Sequence, residues 1–152
     1  MTKKSGSACV DASLALAWLF ADTHTEQADG LWQEWTEGGI DLVAPPMFHA
    51  EVISSIRKNV YFKRILPAEG ERLFTVYSEI PVRIIESQAV HRRAWQLAKE
   101  FNLPVCYDMQ YLAVAELKDC DFWTLDRKLV NAVHGNKRIR WVGEFKTRQK
   151  GR

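Results

Sequence analysis

PVCYDMQYLAVAELKDCDFWTLDRKLVNAV, residues 104–133, decides how the rest of the chain reads. Pro104 breaks the chain, and a helix is expected from near Asp108, carrying Leu112, Ala115 and Leu117 on its apolar side. Asp121 to Thr124 then reads as a short strand and Arg127 to Val133 as a short helix. A helix that feeds a short strand and leaves at once into another helix is the repeating unit of a parallel sheet.

The flanking sequence repeats that unit. Upstream, Val90, Ala94, Trp95, Leu97, Ala98 and Phe101 recur at helical spacing. Val82 to Ile85 reads as a strand, and Pro67 opens a helix reaching about Glu79. Pro45 and Pro46 suit a first helical turn, so a helix is expected to about Val60, after a strand over Asp41 to Ala44. Thr25 to Glu37 reads as a helix stopped by Gly38 and Gly39. Nearer the N-terminus, a helix from about Ser13 follows a buried strand over Ala8 to Val10. Ile139 to Val142 supplies a last strand. Strands alternating with helices predict an α/β fold, a mainly parallel sheet covered on both faces. Ligands of such sheets bind outside the carboxyl ends of the strands.

The 152 residues suit one domain, and at 47% apolar composition a core can form. It is expected over residues 1–145, with 146–152 a basic, disordered tail. The longest apolar run, Ala12 to Ala21, is interrupted by Ser13 and too short to span a bilayer, so a soluble, cytoplasmic protein without a membrane is expected. Cys9, Cys106 and Cys120 form no CxxC pair and read as buried free thiols. The net charge of +2 hides an asymmetry: without Lys3, Lys4, Lys146, Arg148, Lys150 and Arg152, 15 basic face 19 acidic residues, a body near −4. Acids that hold metal and basic segments that hold phosphate are compatible with a nucleic-acid enzyme, although charged termini are also ordinary solvated ends.

Four acids stand out, and each has a plain structural account beside its chemical one. Asp11 follows the first strand and could cap the next helix, but Ser13 could cap it equally well. Glu51 lies off the apolar stripe of Phe48, Val52, Ile53, Ile56 and Val60, where a solvated face is the ordinary explanation. Asp108 could be a helix cap. Asp126 could cap the short helix or pair with Arg127. Three of the four fall where they can converge on one edge of the sheet.

Taken together the pieces become recognisable. VDAS (10–13), PPMFHAEVISSIRK (45–58), YDMQYLAVAE (107–116) and TLDRKL (124–129) resemble, in order and spacing, the PIN domain family and specifically its VapC-type toxin ribonucleases. The likeness runs over about residues 8–142. It implies a three-layer α/β/α sandwich in which Asp11, Glu51, Asp108 and Asp126 hold one or two divalent ions, Mg²⁺ or Mn²⁺. Ser13 and Thr124 would be supporting polar residues. It further implies endonucleolytic cleavage of RNA, homodimerisation and inhibition by a cognate antitoxin protein. Trp123, where the family usually has an aliphatic residue, Cys106 before the Tyr-Asp pair, and the basic tail depart from the pattern without removing an acid.

Mg²⁺ and Mn²⁺ prefer carboxylate and water oxygens, and a divalent ion relieves the repulsion of crowded carboxylates. Candidate phosphate contacts come from two stretches: Arg57, Lys58, Lys63 and Arg64, and Arg127, Lys128, Lys137, Arg138 and Arg140. The second adjoins Asp126. The six tryptophans, Trp18, Trp32, Trp35, Trp95, Trp123 and Trp141, read as core or dimer contacts rather than base-stacking platforms. Other chemistries lack their motifs. A zinc deaminase needs PCxxC, but Val105 separates Pro104 from Cys106. A haloacid-dehalogenase phosphatase wants Asp where Ser13 stands. No GxxxxGK[ST] or GxGxxG occurs, and the histidines lack zinc spacing. Two alternatives remain beside the toxin: a catalytically silent PIN domain that binds RNA or protein, and a PIN nuclease of RNA maturation.

Overall fold

Val10, fully buried at the end of strand β1 (Ser7–Val10), marks the centre of the molecule. A computed structural model of the chain describes residues 6–21 and 23–147. Helices α1 (Ala12–Leu19) and α2 (Thr25–Gly38) connect β1 to β2 (Asp41–Ala44). Helices α3 (Met47–Tyr61) and α4 (Pro67–Ser78) lead to β3 (Val82–Ile84), and α5 (Gln88–Glu100) and α6 (Tyr107–Leu117) to β4 (Phe122–Thr124). A short α7 (Arg127–Ala132), β5 (Ile139–Trp141) and a 3-10 turn (Val142–Glu144) complete the described chain.

The strands lie in the order β3-β2-β1-β4-β5, and every pairing is parallel. The chain thus moves outward from β1 through β2 to β3, then crosses back to place β4 on the other side of β1. Parallel crossovers are right-handed, so reversing direction along the sheet moves the helices to its opposite face. The packing agrees: α1 lies against α2, α3 and α4, whereas α5 lies against α6. The expected three-layer sandwich forms, with its switch point between β1 and β4.

The central strands are buried as an enclosed parallel sheet requires. Cys9, Val43 and Phe122 are inaccessible, and Tyr111 of α6 stacks on Phe122 at 5.2 Å between ring centroids. Full burial of a leucine such as Leu14 or Leu112 contributes about 2 kcal/mol. Trp18, Trp32, Trp35 and Trp123 form an aromatic cluster joining α1, α2 and β4, with centroid separations of 4.9–6.3 Å. The Trp18 indole N–H donates to the Ala28 carbonyl at 2.7 Å, which satisfies its polar end.

Several sequence expectations need correction. Ile53, assigned to the buried stripe of α3, is 38% exposed, because α3 packs chiefly against α1 and α4 and Ile53 lies off that seam. Trp95 is 62% exposed on α5, which removes the core half of its expected core-or-dimer role. Cys106 is half-buried, while Cys9 and Cys120 are buried as expected. Among the described residues no helix is long and apolar enough to cross a membrane. Lys3 and Lys4, and the expected tail from residue 148 onward, lie outside the described residues.

Candidate active site at the switch point

Asp11 is the first residue past β1, and its backbone N–H donates to the Trp123 carbonyl at 3.1 Å, which locks it to β4. It occupies the N-cap position of α1 but makes no side-chain cap bond. Instead Asp11 Oδ2 accepts from Ser13 Oγ at 2.8 Å and from Thr124 Oγ1 at 2.6 Å. Ser13 is therefore not the alternative cap; it sits inside α1 and turns back to the acid. Each hydroxyl also accepts a backbone N–H, Ser13 from Leu125 at 3.0 Å and Thr124 from Asp126 at 3.0 Å. With their acceptor sides committed to amides, both hydroxyl protons point at Asp11.

Asp11 is only 7% exposed, and burial pushes its carboxyl above the ordinary value. The bonds from Thr124 and Ser13 oppose that rise, and the negative charge of Asp108 adds to it. Glu51 sits mid-helix in α3, half-buried rather than on a solvated face. Its Oε1 accepts from the Tyr111 hydroxyl at 2.9 Å. Burial raises the Glu51 carboxyl, the Tyr111 bond lowers it, and Asp11 and Asp108 raise it further. Asp108 is not a cap: Cys106 holds that position in α6 and Asp108 lies within the first turn. Burial raises its carboxyl, with a further push from Asp126. Asp126 caps α7, its Oδ1 accepting from Leu129 N at 3.1 Å, rather than pairing with Arg127.

At the carboxyl edge of the sheet Asp11, Glu51 and Asp108 thus feel one another's charge, and Asp126 joins them through Asp108. Among the described residues no three of them stand around a common point ready to hold an ion. The hydrogen bonds account for the splay: Glu51 is drawn to Tyr111 and Asp126 to its own helix. The donor set is nevertheless all oxygen and mutually repelling, and that is the chemistry a hard divalent cation fits.

Tyr111 is the site residue that sequence reasoning missed. It lies one turn after Asp108 on the same face of α6 and is fully buried. A buried tyrosine needs a partner for its hydroxyl, which was the available signal; the partner, Glu51, is 60 residues away. The cations divide. Arg127 and Lys128 are exposed directly after Asp126. Arg57 and Lys58 are exposed on α3, Arg57 roughly 9 Å along the axis from Glu51 at the helical rise. Arg138 and Arg140 are paired with Asp119 at 2.6 Å and Asp121 at 3.3 Å, so they are poor candidates for phosphate.

Fold and site define an α/β domain with like-charged carboxylates near a topological switch point. The family model for the PIN domain matches residues 8–134, and the chain belongs to that family. Among curated relatives, a VapC ribonuclease of Mycobacterium bovis and Ribonuclease VapC9 of Mycobacterium tuberculosis are each 27% identical over 120 residues, covering 79% of this chain and 86% of theirs. A toxin-antitoxin complex from Klebsiella pneumoniae contains a chain with the same fold at TM-score 0.64 and 21% identity, over 88% of this chain and 96% of that one. A Pyrobaculum aerophilum protein superposes with TM-score 0.65 at 22% identity, over 91% and 90%.

Proposed function

We propose that this protein is a divalent-metal-dependent endoribonuclease and the toxin of a toxin–antitoxin pair. The observation that carries the reading is the chain of like charges at the sheet edge: burial raises Asp11, Glu51 and Asp108, Asp108 raises Asp11, Asp11 and Asp108 raise Glu51, and Asp126 raises Asp108. The names of the mycobacterial relatives supply the RNA substrate, and the Klebsiella complex the kind of partner. A homodimer working in the cytoplasm and held by a cognate antitoxin completes the proposal.

Asp11, Glu51, Asp108 and Asp126 would hold Mg²⁺ or Mn²⁺. When bound, the ion supplies a water of lowered pKa and neutralises charge on the phosphate. The chain's own contribution is orientation. Ser13 and Thr124 fix the Asp11 carboxylate to the β1–β4 join and keep Oδ2 hydrogen-bonded in its ionised form. Tyr111 fixes the orientation of Glu51 by donating its hydroxyl to Oε1. The amide of Asp126 donates to Thr124 Oγ1, so one hydroxyl links the acid after β1 to the acid after β4. Arg127, Lys128, Arg57 and Lys58 would take the RNA backbone.

Purified protein incubated with single-stranded RNA tests the reading. Cleavage is expected with Mg²⁺ and is lost in EDTA and in Asp11→Asn. Equal cleavage in all three samples would contradict it, and binding without cleavage in any of them would favour the catalytically silent alternative.

A further inference from the structure

Trp141, the last residue of β5, is paired in register with Thr124, the residue that bonds Asp11. Its indole lies under the guanidinium of Arg127, whose Cζ stands 4.2 Å from the ring centroid. The His24 ring meets the same indole edge-on at 5.4 Å, so the indole is braced from the side. Gly143 lies against its six-membered ring, and a methyl group there would overlap three ring atoms. The indole is confined by these neighbours, and Arg127 rests against its ring.

Resting on the ribonuclease reading, we infer that Arg127 is the cation that grips the backbone phosphate of single-stranded RNA beside the acids, and that Trp141 and Gly143 are the positioning residues that hold it there. Three observations separate Arg127 from its neighbours. Arg138 and Arg140 are spent on Asp119 and Asp121. Among the described residues the Arg127 side chain has no hydrogen bond or ion pair, although Asp126 is its direct neighbour in sequence. The ring contact takes up none of the guanidinium N–H donors in a hydrogen bond, so the fork that binds phosphate is open among the described residues. Arg57 has an aromatic neighbour too, but Tyr61 is 66% exposed, the separation is 5.8 Å, and both lie toward the far end of α3. A flexible surface arginine would lose side-chain entropy on gripping phosphate; a stacked one has already lost much of it.

The test is a set of cleavage and binding measurements on a fluorescent single-stranded RNA oligonucleotide. Arg127→Ala should raise KM about tenfold with kcat little changed, as for loss of one phosphate contact. Its anisotropy titration should show a salt slope smaller by about 0.7, the value for one phosphate on a single strand. Trp141→Leu and Gly143→Ala, which remove no charge, should each raise KM in the same direction, and Trp141→Phe should restore it. In the Arg127→Ala background, Trp141→Leu should add nothing. If it adds its full effect there, or if Gly143→Ala leaves KM unchanged, the positioning role is overturned; an unaltered KM and salt slope in Arg127→Ala overturns the grip itself. Thermal melts check folding, and Gly143→Ala serves where Trp141→Leu does not fold. If wild-type protein cuts no RNA, the ribonuclease reading fails on its own, and the anisotropy arm still decides the role of Arg127.

Discussion

Thr124 Oγ1 donates to Asp11 Oδ2 at 2.6 Å across the join between β1 and β4, two residues 113 apart in the chain. The same oxygen accepts the Asp126 amide, so one hydroxyl ties together two acids of the site. Thr124→Val keeps the shape and removes both bonds. Because the group is fully buried, the unsatisfied partners should cost about 1–3 kcal/mol in urea denaturation. Thr124→Ser should recover most of it. RNA cleavage should fall further than the stability loss explains, since Asp11 loses its orientation; cleavage at the wild-type rate would show that Thr124 is only a core residue.

Tyr111→Phe separates packing from chemistry in the same way. The ring keeps its stack on Phe122 while Glu51 loses its donor. Stability should drop by about 1 kcal/mol, the net worth of one hydrogen bond. The cleavage rate should drop markedly if the hydroxyl holds Glu51 in place. An unchanged rate would mean that Glu51 reaches its working position without help.

Carboxyls that burial and like charge push upward make the metal-free fold sensitive to pH. For Asp108 the folded value lies above the unfolded one, so the native state binds more protons between the two. The stability due to this group is therefore fully present below the ordinary carboxylate value, about 4, and is lost as pH rises through the folded value. In EDTA, Asp108→Asn should melt higher than wild type at pH 7, and the gap should close toward pH 4. A variant that melts lower than wild type at neutral pH in EDTA would show that neither burial nor the charge of Asp126 disfavours the ionised Asp108.

Thiol reactivity checks the core independently of the site. Cys9 is inaccessible and held well above its ordinary value by burial; burial pushes Cys120 up to about 11. Native protein at pH 8 should take up iodoacetamide at half-buried Cys106 alone, with Cys9 and Cys120 reacting after denaturation. Early labelling of Cys9, read by peptide mass, would contradict the placement of β1 at the centre.

The elements were legible where local chemistry bounds them. Strand β2 stands between Gly39, a left-handed α2 cap at φ 63°, and Pro45, and both of its ends follow from those residues. Helix α3 begins after Pro46 for the same kind of reason. What local pattern could not give is direction across the fold. Glu51 reads as solvated on a helical wheel, because the wheel does not contain Tyr111 from α6. Ile53 reads as buried, because the wheel does not know that α3 packs chiefly on α1 and α4. Asp126 carries two roles at once, a cap and a site acid, and a sequence reading had to choose between them. The Arg127–Trp141 stack depends on the register of β4 with β5, which no periodicity encodes.

Mn²⁺ titration by isothermal calorimetry, on wild type and on Asp11→Asn, Glu51→Gln, Asp108→Asn and Asp126→Asn, tests the shared carboxylate centre most directly. Wild type should bind Mn²⁺, and each single substitution should weaken binding by about tenfold or more, as removal of one charged ligand from a common site requires. Wild type that binds no Mn²⁺, or affinities unchanged by Glu51→Gln and Asp126→Asn, would mean that these acids do not serve one ion.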